Sequence, residues 1–181
     1  GRAFATDAHS LPSARSQGEP MTGRFNLTSG ASFEHVVMGE DAQVLLMASD
    51  AGYGFITDFK DLVSKNKNGK ALVSVPKGGV LLSPIRVNDV ATDYCMAISN
   101  EGRMLLFPLR DLPKLGKGKG NKIISIPGAK VQAREEFVKV LAVVPQGSSV
   151  TLHAGKRKLT LKPSDLEHYH GERGRRGNKL P

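Results

Sequence analysis

The 181-residue chain contains no tryptophan and a single cysteine, Cys95. One thiol rules out an internal disulfide and fits a reducing compartment. Its surroundings, YCMAIS, read as a buried strand. Long apolar runs are missing too. The longest, such as Val44 to Ala48, fall far short of the about 20 residues that a membrane-crossing helix needs. The N-terminus has no apolar core of a signal peptide, and no stretch keeps a helical period beyond about two turns. Chemical signatures are equally scarce. GKGKGNK lacks the G-x-x-x-x-G-K-[ST] pattern, and a G-x-G-x-x-G reading fails because position 123 is Ile. His168 and His170 stand two apart with no Cys or carboxylate cluster to set metal geometry. Asp50, Asp58 and Asp61 are spaced like turn and corner residues, and no Ser–His–Asp arrangement can be argued.

Basic residues and glycine are plentiful. The net charge is +9, with 20 glycines and 10 prolines, a composition that suggests many turns. The charge is uneven. Residues 1–50 carry three basic and six acidic side chains, residues 101–150 nine against four, and residues 151–181 eight against three. A basic half with clustered Lys and Arg points to a polyanionic partner: DNA, RNA, an acidic protein or lipid headgroups. The clusters sit on glycine-rich backbone, most densely in DLPKLGKGKGNKIISIP, Asp111 to Pro127. A flexible loop of like charges loses entropy on ordering and repels itself, so a ligand outside the chain is expected to offset both.

A repeat runs through the chain. GRAFATDAHSLP, GYGFITDFKDLV, GRMLLFPLRDLP and GKRKLTLKPSDL begin at Gly1, Gly52, Gly102 and Gly155. Each unit shows the same order: a strand (VLLMAS, YCMAIS, VKVLAVV), a glycine turn, a second strand, a D-L or S-L-P corner, and a glycine-rich loop. Those loops are SARSQGEPMTG, SKNKNGK, KLGKGKGNK and GERGRRGNK. A β-branched strand, ALVSV or KIISI, follows the middle two. A period near 50 residues with about four strands per unit predicts an all-β, propeller-like fold of packed blades. Residues 1–181 are expected to form one such domain. Both ends enter the repeat mid-unit, so a longer array is expected. The loops fall at equivalent places, so their basic residues should line one rim.

The repeat and its loops together resemble the C-terminal domain of the A subunits of bacterial type IIA topoisomerases. The residues that carry the likeness are LPSARSQGEPMTG, LLMASDAGYGF, GRMLLFPLRDLPKLGKGKGNKIISIP, GKRKLTLKP and GERGRRG. They cover most of the chain, and KGKGNKI and GERGRRG are the most specific. The resemblance implies a β-pinwheel, a ring whose blades exchange strands, with a basic outer rim that binds and bends the transported duplex. Gyrase members carry an intact Gln-, Arg-, Gly- and Lys-rich box that fixes a full chiral wrap. No loop here keeps that box, which favours the topoisomerase IV (ParC) branch. Weaker binding that tunes substrate topology in decatenation and supercoil relaxation is then expected.

On this reading the phosphate contacts are Arg15, Arg24, Lys65, Lys67, Lys70, Lys114, Lys117, Lys119, Lys122, Arg173, Arg175, Arg176 and Lys179. Glycine lets backbone approach phosphate while Lys or Arg neutralises it. With few aromatics outside strands, duplex backbone contact is favoured over stacking of single-stranded bases. Lys156, Arg157 and Lys158, with Arg173 and Arg176, are candidates for docking a protein partner. The resemblance further implies that catalysis, ATP and Mg2+ belong to other parts of the whole enzyme, so Tyr53, Tyr94 and Tyr169 are not nucleophiles. It implies a heterotetramer of paired A and B subunits, the condensin-like MukB hinge as a further partner, and a cytoplasmic, nucleoid-associated location. The alternative from a different class is a propeller-like scaffold that binds an acidic protein.

Overall fold

The computed structural model describes residues 1–181. Strands form where apolar runs rich in branched and aromatic side chains lie between turn residues. In chain order they are β1 (Arg2–Ala3), β2 (Val44–Ser49), β3 (Tyr53–Asp58), β4 (Lys70–Ala71), β5 (Ile85–Val87) and β6 (Tyr94–Ser99). Then come β7 (Arg103–Pro108), β8 (Asn121–Lys122), β9 (Val138–Val144), β10 (Val150–Ala154), β11 (Arg157–Leu161) and β12 (Asn178–Lys179). Helix is limited to α1 (Gly128–Gln132), α2 (Pro163–Leu166) and short 3-10 turns, among them those at the corners that follow β3, β7 and α2.

Two antiparallel four-stranded sheets dominate, ordered β5-β2-β3-β8 and β9-β6-β7-β12. Beside them stand the β10-β11 hairpin and the β1-β4 pair. The hairpin turns β2-β3, β6-β7 and β10-β11 hold Gly52, Gly102 and Gly155 at positive φ, so the lead glycines of the repeat mark equivalent turns.

Successive strand residues face opposite sides of a sheet, and here both sides are covered. In β2, Leu45 and Met47 pack with Phe55, Leu72 and Val73. Leu46 and Ala48 turn the other way, onto Cys95, Ala97, Leu105 and Phe107 of the second sheet. That sheet in turn lays Met96, Ile98, Met104 and Leu106 against Leu161, Leu166 and Tyr169. Strands buried on both faces read as unbroken apolar runs rather than alternating ones. Each fully buried Leu or Phe contributes about 1.5–3 kcal/mol, so the blades are held chiefly by one another.

The outer strand of each sheet comes from the next unit. Lys122 and Asn121 pair with Tyr53 and Gly54, and Lys179 and Asn178 pair with Arg103 and Met104. Ala71 and Lys70 pair with Arg2 and Ala3 in the same register. Strand exchange therefore occurs three times, always through the residues that end a basic loop.

Two sequence expectations are corrected. VKVLAVV does not open the fourth unit. As β9 it lies along β6 as the closing strand of the second sheet, the place β5 takes in the first. The opening place belongs to β10, which pairs with β11 through a tight turn. ALVSV and KIISI are ladder-paired only at their starts. Past Ala71 the backbone divides its bonds between neighbours: Leu72 and Val73 N–H donate to the Gly1 carbonyl, and Ser74 N–H to that of Gly118. Leu72 and Val73 are buried, but the segment forms no regular ladder with either side.

Candidate nucleic-acid interface

The glycine nearest the end of each loop is a steric requirement. Gly69, Gly120 and Gly177 adopt φ of 69°, 77° and 76°, a region that side-chain-bearing residues enter at a cost. A Cβ on Gly120 would lie 2.0 Å from the Gly54 carbonyl oxygen, and one on Gly177 would lie 2.6 Å from that of Met104. These glycines let the chain press onto the preceding blade before it pairs. At these positions glycine therefore serves strand exchange rather than the phosphate approach expected from the sequence.

Each loop is also stitched to the segment before it. Gly118 N–H donates to the Leu72 carbonyl at 2.8 Å, and the Gly118 carbonyl accepts from Ser74 N–H at 3.0 Å. One unit on, Gly174 N–H donates to the Ile123 carbonyl at 3.0 Å, and Ser125 N–H donates to that of Arg175 at 2.9 Å. One unit back, Asn26 N–H donates to the Lys67 carbonyl at 2.9 Å. The loops thus occupy equivalent edges of successive blades, held by backbone bonds that leave side chains outside.

The predicted contact residues fall into two groups. In the first, arginines and some lysines are engaged inside the protein. Arg24 donates to the Ser10 carbonyl at 2.6 Å and to the Glu19 carboxylate, closing the first loop on itself. Arg173 donates to the Lys122 carbonyl at 2.7 Å, and Arg175 pairs with Glu172 at 2.8 Å. Arg176 donates to the Ser125 carbonyl at 2.8 Å and, at 2.7 Å, to Glu136, which is fully buried. Lys70 donates to the Asp61 carbonyl at 2.5 Å, and Lys114 pairs with Asp58 at 2.9 Å.

In the second group, Lys65, Lys67, Lys117, Lys119, Lys122 and Lys179 are all exposed, with no carboxylate within 4.0 Å. Lys119 is positioned by Tyr53, with its ammonium 4.4 Å from the ring centroid. Arg15, Lys156, Arg157 and Lys158 are exposed and free of acidic partners, the last three at the β10-β11 turn. Acidic charge has meanwhile been drawn inward. Buried Asp50 is held by Arg134 at 2.8 Å, and Glu136 is held by Arg176. Arg134 is the one non-glycine residue at positive φ, 58°, and it also stacks on Phe137 at 4.3 Å. Cys95 plays no part in the surface; burial pushes its thiol well above the ordinary range.

Sequence reasoning missed Lys77. It lines a groove of about 290 Å³ with Tyr53, Lys119 and Lys122, beside the β3-β8 edge of the first sheet and helix α1. In the repeat its position corresponds to Gly128, so no periodic signal marks it.

The model of the family described as "DNA gyrase C-terminal domain, beta-propeller" matches residues 43–88 and 93–144, which take in both four-stranded sheets except for strand β12 of the second. The chain belongs to this family. Relatives include the DNA topoisomerase 4 A subunit from Pseudomonas aeruginosa, 58% identical over 181 residues, covering 100% of this chain and 24% of the relative. The corresponding protein of Escherichia coli K12 is 51% identical over 180 residues, covering 99% and 24%. The chain therefore spans about a quarter of the length of these curated relatives. Among solved structures, the E. coli ParC C-terminal domain superposes with a TM-score of 0.94 at 51% identity, over 99% of this chain and 73% of that one. A gyrase A C-terminal domain, 13% identical with a TM-score of 0.66, covers 90% of this chain and 53% of its own and shares the fold. The all-β, propeller-like fold expected from the repeat is thus the fold of the DNA gyrase C-terminal domain family.

Proposed function

We propose that this chain is a non-catalytic, duplex-DNA-binding domain from the A component of a topoisomerase IV. The observation that carries the reading is the set of lysines without acidic partners on three successive exchange loops. Lysines there neutralise backbone phosphates, and the internally held arginines fix the loops that present them. Contacts of this kind are blind to sequence and weaken steeply with salt. Loops at equivalent edges of successive blades would bend a duplex that touches more than one of them. Such bending would tune which crossings the whole enzyme receives. Strand cleavage, ATP and Mg2+, and assembly into a heterotetramer of paired A and B subunits belong to the rest of that enzyme.

A second reading attaches to one place. Lys156, Arg157 and Lys158 cap the β10-β11 hairpin, outside the exchange loops, and suit an acidic protein surface such as a condensin-like MukB hinge.

Fluorescence anisotropy with labelled duplexes of unrelated sequence, compared with the Lys117, Lys119 and Lys122 triple alanine variant, tests the first reading. Equal affinity across sequences, with a clear loss in the variant, is expected. Absence of duplex binding at low salt would leave only the protein-partner reading.

A further inference from the structure

We infer that the groove between the β3-β8 edge of the first four-stranded sheet and helix α1 seats one backbone phosphodiester of duplex DNA, and that Lys77, from outside the basic loops, completes the seat. The inference rests on the DNA-binding reading above and deepens it by assigning a particular contact and a residue.

The groove brings Lys77, Lys119 and Lys122 together in about 290 Å³, and no carboxylate is among its lining residues. None of the three ammonium groups has an ion-pair partner. A concave, low-dielectric wall of one sign focuses potential on the space in front of it. The three cations repel one another in the free protein, and a bound anion relieves that repulsion.

Two of the lysines are also pre-ordered, which lowers the entropy lost on binding. Lys122 is a strand residue, directly opposite Tyr53 in the ladder. Lys119 is held over the Tyr53 ring at 4.4 Å, a cation–π contact that steadies a long side chain. The Ser125 and Gln132 side chains line the same groove and make no hydrogen bond within the protein, so neutral donors remain for phosphate oxygens. Because Lys119 and Lys122 end the loop Lys114–Lys122, the groove continues that loop's rim. A duplex backbone on the rim would pass its mouth.

The experiment uses the full chain and the variants K77A, K119A, K65A, K77A/K119A and K77A/K65A. Lys77 is exposed and its side chain is bonded to nothing in the protein, so K77A should melt with the wild type, and circular dichroism checks this. Duplex affinity is measured across a salt series. K77A is expected to weaken binding about fivefold at moderate salt and to make the log–log salt slope shallower by less than the about 0.9 of a whole phosphate, since Lys119 and Lys122 still face the same one. Lys77 and Lys119 share one phosphate, so the K77A/K119A losses should be less than additive, whereas K77A and K65A should add. In parallel, inorganic phosphate is titrated while the Gly120 and Lys122 amide shifts are followed by NMR. Weak or no response, with duplex binding that depends on Lys77, supports the duplex seat.

If the wild type binds duplex and K77A binds identically, the groove inference falls while the rim reading stands. Saturation by inorganic phosphate alone, without duplex binding, would mark the groove as a free-anion site and overturn the inference. If neither duplex nor phosphate binds, the inference and the reading it rests on fail together.

Discussion

Replacing Gly120 by Ala separates strand exchange from loop flexibility, because the same loop supplies its own control. At Gly120 the φ of 77° alone costs a side-chain-bearing residue about 1–2 kcal/mol. The new Cβ would sit 2.0 Å from the Gly54 carbonyl oxygen and 2.3 Å from its carbon, both backbone atoms that cannot swing aside. Relief requires β8 to lift from β3. That movement threatens the short β8 ladder and the bond from Ile123 N–H to the Gly52 carbonyl, 2.7 Å long. Each bond is worth about 0.5–1.5 kcal/mol net. Two lost bonds and the backbone strain together give about 3 kcal/mol. In a protein of this size that is about 6–12 °C in Tm.

Gly116 has no positive φ, and nothing lies within 4 Å of a Cβ placed there. Gly116→Ala should leave stability within about 1 kcal/mol of the wild type or raise it slightly, by restricting the unfolded chain. Thermal and urea unfolding of the two variants decide the matter. Equal stabilities would refute the claim that the loop-ending glycines serve blade exchange.

Arg176→Ala should destabilise by about 2–3 kcal/mol, since it leaves the buried Glu136 carboxylate with only the longer 3.8 Å contact to Lys130. The double change of Glu136 and Arg176 to Met should recover most of that loss in chemical denaturation, and a double variant no better than the single would contradict the ion-pair account. Arg24→Ala should lower the midpoint of unfolding by removing the bonds to Ser10 and Glu19, yet leave the salt slope of duplex binding unchanged; a shallower slope would return Arg24 to the contact surface. The Cys95 thiol should resist a thiol reagent at neutral pH until the protein unfolds, and fast labelling of the native state would contradict its burial. Its folded-state pKa is raised, so below the unfolded thiol's ordinary value near 9.0 both states hold the proton and stability is at its full level. Stability declines as pH rises further, because only the unfolded chain then loses the proton, and unfolding free energies measured across alkaline pH should show the fall.

The blade pattern was legible because its physical causes act locally. Turn glycines at Gly52, Gly102 and Gly155 need positive φ, and VLLMAS and YCMAIS are apolar almost throughout because both faces of each sheet are covered. The role of β9 was hidden, since an apolar run looks alike whether it opens a sheet or closes one. KIISI looked like a full strand because Ile123, Ile124 and Ile126 are buried, but burial does not reveal that its backbone bonds are shared between neighbours. Within the candidate site, sequence marked the loops and their charge. It could not tell a free lysine such as Lys117 from an arginine turned toward Glu136, 40 positions away. Lys77 escaped because its partners come from a different unit and its repeat equivalent is Gly128.

The most direct test of a phosphate-binding rim is the salt dependence of wild-type duplex affinity. With the rim lysines Lys65, Lys67, Lys117, Lys119, Lys122 and Lys179 as the upper bound, and about four or five engaged at once, the slope of log affinity against log salt should be about −4. The same slope should appear for duplexes of unrelated sequence. A slope near zero, or one that changes from sequence to sequence, would contradict the account.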